Sequence, residues 1–167
     1  MRSFSIFFLL FLPLFSISQE SKIILKSGEY LYNPSFDLDS DTDKYYRYFI
    51  FDKLPTSKQQ EELNKLGINL LEYLPKNIYI CSIEKSITSD DLIAFDIISV
   101  LNILPSYKID KKLRVPFPDW AYSDGKLSLK IILHKDADFH TSLSFVEEHF
   151  ERVSYNDNSS RIFATTD

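Results

Sequence analysis

The side chains of this 167-residue chain that could do chemistry are three histidines, a run of alternating aspartates, one cysteine and its serines, and their spacing decides what each can do. His140 and His149 share one helical pattern but are not an i, i+4 pair on one face, and His134 closes a strand. Zinc needs three or four converging ligands, so surface and helix-end roles are expected for all three. Asp37, Asp39, Asp41 and Asp43 alternate as in a calcium loop, yet the central glycine and the closing glutamate are missing, which leaves a solvated linker. Asp90-Asp91 and Glu147-Glu148 fit a helix start and a solvent face. A serine nucleophile needs a strained elbow, and no Gly-x-Ser-x-Gly occurs; Ser123-Asp124-Gly125 reads as a turn before a strand. Three glycines also exclude a Gly-rich phosphate loop. Cys81 sits in an apolar run and is expected to be a buried structural thiol, with no partner for a disulfide. No catalytic residue, cofactor or metal follows from these residues.

The elements are more informative. Met1-Arg2 precedes the apolar block "FSIFFLLFLPLFSIS", which reads as a secretory leader over residues 1–18, cut after Ser18. It is short of the roughly 20 residues a membrane span needs. A secreted chain is therefore expected, with no later membrane span. The net charge of −5 and the lack of a basic cluster argue against nucleic acid as a partner. Residues 19–44 hold a short strand with a Ser-Gly turn and then an acidic linker. "YYRYFIF" is a strand, and Thr56 with Gln59 forms a capping box opening a helix that stops at Gly67. Strands at 68–74 and 78–83 flank a Pro75-Lys76-Asn77 turn. A serine-capped helix at 89–95 and a strand at 98–104 complete the order strand, helix, strand, strand, helix, strand. That is the α+β, ferredoxin-like βαββαβ arrangement, assigned to residues 45–114. After a connector at 115–125 the pattern restarts over 126–167. A strand with Leu127, Leu129, Ile131 and Leu133 on one face leads to a helix with Leu143, Val146 and Phe150 inward, then two strands. This second module is incomplete, lacking its last helix and strand.

With these phrases in place, "YFIFDKLPTSKQQEELNKLGINLLEYLPKNIYICSI" and "VLNILPSYKIDKKLR" resemble the N-terminal pro-region of secreted bacterial subtilisin-like serine peptidases. The likeness lies in the order Leu54-Pro55-Thr56, Gly67-Ile68, Leu74-Pro75-Lys76-Asn77, Leu104-Pro105 and Tyr107-Lys108. It implies a folding assistant and inhibitor whose sheet rests on the peptidase catalytic domain, with a following extended segment in the cleft. The catalytic motifs are absent from this chain, so the resemblance implies the N-terminal part of a peptidase precursor or a standalone relative. The alternative is a non-catalytic interaction or scaffold domain of an exported protein. Both faces of the first sheet are apolar. Phe49 and Phe51 oppose Tyr48 and Ile50, and Leu71 and Tyr73 oppose Ile68 and Leu70, so something must pack on the second face. Phe49, Phe51, Leu71, Tyr73 and Tyr107 are the expected partner-binding residues, with the peptidase or the second module as the cover.

Overall fold

The segment densest in aromatic and β-branched residues becomes β3 (Tyr45–Phe51), an inner strand buried along nearly its whole length. The computed structural model describes residues 21–40, 42–84, 87–113, 116–156 and 160–166, so the leader expected at 1–18 lies outside the described residues. A hairpin of β1 (Lys22–Leu25) and β2 (Gly28–Leu31) precedes β3. After it come α1 (Ser57–Lys65), β4 (Ile68–Leu74), β5 (Ile78–Ile83), α2 (Ser89–Ile93) and β6 (Ile97–Asn102). The first sheet is antiparallel throughout, in the order β4-β5-β3-β6. This is the ferredoxin-like order, in which each βαβ crossover skips one strand.

Local chemistry sets the ends. The Thr56 hydroxyl accepts from the Gln59 amide at 3.3 Å, and the Gln59 side chain accepts from the Thr56 amide at 2.9 Å. Gly67 takes the left-handed conformation (φ +85°) that ends α1, and Lys76 and Asn77 take it at the β4–β5 turn. The cap of α2 is Thr88 and not a serine, because Asp91 returns its carboxylate to the Thr88 amide and closes a capping box there. β6 ends at Asn102, short of the expected 104. Pro105 opens a helical turn, α3 (Pro105–Lys108), as its fixed φ favours at a first helical position.

Two cores flank this sheet. On the helix side Phe49, Phe51, Leu63, Ile68, Cys81 and Val100 pack together. On the opposite side Tyr48, Ile50, Ile78 and Leu101 pack against Ile23 of the β1–β2 hairpin. The acidic linker, expected to be solvated, is instead laid along β6. The Asp37 amide donates to the Val100 carbonyl at 2.9 Å, and the Val100 amide to that of Ser35 at 2.7 Å. Buried Arg47 secures it, donating to the carbonyls of Asp37, Asp39 and Tyr46. A bare strand edge and a buried guanidinium each need partners, and the linker backbone supplies both.

The second sheet contains β7 (Tyr122–Ser123), β8 (Lys126–Ile132), β9 (Arg152–Tyr155) and β10 (Arg161–Thr166), in the order β7-β8-β10-β9, with α4 (Phe139–His149) on one face. Leu143 and Val146 of α4 meet Ile162 and Ala164, with Ile131, Leu133 and Phe150 around them, as the alternation predicts. The incomplete module differs from the first at one edge. Where the first sheet has β6, the second has only the two residues of β7, delivered from the connector through a tight Asp124-Gly125 turn with positive φ at both.

Candidate functional site

The central hairpin, β4–β5, does not gather the expected partner-binding residues. Phe49 and Phe51 are 0 % and 2 % exposed in the core beneath the helices, so they are interior residues and not a docking surface. Tyr107 lies on the opposite side, tilted against Tyr30 at 4.3 Å and near Tyr48 at 6.2 Å. Leu71 occupies an irregularity between Leu70 and Glu72 where the register slips by one. The slip reverses the pleat: Leu70 faces the helices, whereas Leu74 joins the hairpin-side core and Tyr73 leans on Tyr79. Tyr73, 50 % exposed, is the most open of the five predicted residues. Of the expected partner-binding residues, Phe49 and Phe51 are thus corrected to core positions, and Leu71, Tyr73 and Tyr107 do not share one surface with them. The cover on the second face is the β1–β2 hairpin with Tyr107, which sequence alternation alone did not assign.

The second module closes the polar end of that same face. Ser82, fully buried, donates to an Asp136 carboxylate oxygen at 2.5 Å, and the Lys44 ammonium lies 3.0 Å from that oxygen and 3.2 Å from Glu84. Burial pushes the Asp136 carboxyl up, but the Ser82 hydroxyl and Lys44 outweigh it and hold it below its usual range. Tyr46 stacks on His134 at 4.1 Å, and burial, with the charge of Lys108, lowers the imidazole below its ordinary value. Lys135 donates to the Leu71 carbonyl at 2.9 Å, taking up a backbone group at the irregularity. These groups form a junction between modules, in which the second Asp136 carboxylate oxygen, Oδ1, is buried without a hydrogen-bond partner among the described residues. The Cys81 thiol is buried and pushed well up by desolvation, which makes it inert. Among the described residues no three potential ligands converge on a metal position.

The open surface lies on the second sheet, opposite α4. Cross-strand partners share a face, so Lys130, Phe163 and Ser154 form one row; Ser128, Thr165 and Arg152 form the next; Ile132 and Arg161 lie beyond. Ile132 is 67 % and Phe163 47 % exposed. Among the described residues no carboxylate pairs with Lys130, Arg152 or Arg161, whereas Lys126 at the rim is paired with Glu151. These residues were not singled out from the sequence. The alternation of Lys126, Ser128 and Lys130 against leucines was readable, but assembling the patch requires the β8–β10 and β9–β10 registers.

A family model described as a domain of unknown function (DUF8729) matches residues 16–104. No curated protein and no solved structure matches the chain. The matched stretch contains the hairpin, the linker and the first sheet, and stops short of the second.

Proposed function

Because the chain belongs to the family of the DUF8729 domain, whose description carries no activity, we propose from its own surface that it is a non-catalytic protein-binding module of an exported protein. One observation carries this reading. The first sheet has its second face closed by the chain itself, while the second sheet leaves Ile132 and Phe163 open beside three cations that no carboxylate among the described residues pairs. An exposed apolar pair rimmed by like charge has the composition of a docking surface. The leader-like residues 1–18 support export. The test is a display selection on the purified chain, repeated with Phe163→Glu after circular dichroism confirms the fold. Binders that lose about tenfold or more in affinity for the variant support the reading. Binders indifferent to Phe163, or none at about 100 μM, refute it.

The ferredoxin-like strand order and the phrases from Leu54 to Lys108 favour a second reading, in which the partner is a subtilisin-like peptidase catalytic domain and the chain is its pro-region or inhibitor. The docking face then belongs to the second sheet, since the hairpin occupies the Tyr48 and Ile50 face. Slowed hydrolysis, or a higher refolding yield, on adding the chain to such an enzyme at micromolar concentration selects this reading; no effect removes it and leaves the general one.

A further inference from the structure

β7 fills only the start of the edge it occupies. It pairs with Lys126 and Leu127 and stops where the chain before it coils into a helical turn (Asp119–Ala121) against β8, so that among the described residues no strand pairs β8 on that side from Ser128 to Ile132. Alternate residues of an antiparallel strand direct their backbone groups to opposite neighbours. The Leu133 amide donates to Ser160, on the β10 side, so Ser128, Lys130 and Ile132 direct theirs away from β10. In the first sheet the equivalent groups of β3 are taken by β6, and the edge of β6 is taken by the linker. We infer that the Ser128–Ile132 edge receives an extended segment of a partner polypeptide as an antiparallel strand, with acidic side chains on the outer face and apolar ones on the α4 face. This rests on the reading of the second module as a protein-binding surface and gives that partner its chemistry.

Charge chooses the occupant. Lys130 lies on this edge strand and Arg161 on the adjoining β10, both on the outer face and without carboxylate partners among the described residues, so glutamate or aspartate at alternate positions of the incoming strand is complementary. A second copy of β8, paired about its middle, would set Lys130 against Lys130 and is disfavoured. On the other face Leu129 and Ile131 are half-buried, and an added apolar strand would extend the cover that the α4 core gives Ile131. Strand addition of this kind draws affinity from main-chain hydrogen bonds and selectivity from alternate side chains.

The probe is a fluorescein-labelled peptide of alternating valine and glutamate, about seven residues long, read by fluorescence anisotropy at low salt. It is expected to bind the full chain, and a lysine-for-glutamate version to bind about tenfold or more weaker. Lys130→Glu should reverse that preference. Lys130→Pro removes an amide that the fold leaves unused on an edge strand, and should abolish binding while retaining the fold. Methylating alternate backbone amides of the peptide tests the same bonds without touching the protein, and should abolish binding too. No binding of the glutamate peptide at about 1 mM, or equal binding by its methylated form, overturns the strand site. Selected partners that need Phe163 but tolerate Lys130→Pro would also overturn it while leaving the protein-binding function intact.

Discussion

Phe49 and Tyr73 flank Tyr79 in one cross-strand row, yet Phe49 on the inner strand β3 is core and Tyr73 on the edge strand β4 is half-open. Phe49→Ala opens a cavity in the helix-side core and is expected to cost about 3–5 kcal/mol. Tyr73→Glu, on the half-open ring beside Tyr79, should cost about 1 kcal/mol or less, and chemical denaturation of the two variants checks the contrast. His134 sets the pH response of the junction. Its folded value lies below 6.5, so the folded chain prefers the neutral ring. Stability is full above pH 6.5 and declines as pH falls from there through the folded value. Asp136, held below 3.8, keeps its contribution until the medium is more acidic still and loses it as pH falls through that lowered value. Thermal melts from pH 7 downward should show the first decline, and His134→Phe, which retains an aromatic ring on Tyr46, should remove it.

At the scale of elements, the β1–β2 hairpin behaves as part of the first module and not as a leader to it. Ile23 is fully buried against Tyr48, Ile50 and Leu101, so Ile23→Ala should destabilise the chain by about 2–5 kcal/mol and expose apolar surface that binds a hydrophobic dye. A tail that merely preceded the module would show neither effect. The elements themselves were legible where the signal is local: Thr56 with Gln59, Gly67, Pro75-Lys76-Asn77 and the leucines of β8 each carry their conformation in a few neighbouring residues. The cover on the second face was not legible, because Ile23 meets Leu101 through tertiary docking that no local period encodes. The same holds for Arg47, whose position inside a strand gives no sign that its guanidinium holds the Asp37 and Asp39 carbonyls. Leu71 is a further case, since an extra residue in one strand reverses every face assignment after it.

At the scale of the molecule, the described residues enclose one sheet and leave one face of the other open. The first sheet is bounded by α1 and α2, the hairpin, the linker and the Lys44–Asp136 junction, while the second is covered on one face by α4. The repeat was visible in the sequence as a second strand, helix and strand pair, but the element at its vacant edge was not, since two residues of connector carry no period. That edge sets the two modules apart: β7 comes just before the inner strand it pairs with, whereas β6 comes after the other strands of its sheet. Ser123 meets Lys126 across a turn of two residues, whereas Arg47 must find Asn102 across the whole first module. The local closure has low contact order and the distant one high, so the β7–β8 ribbon can form while β3 is still searching for β6.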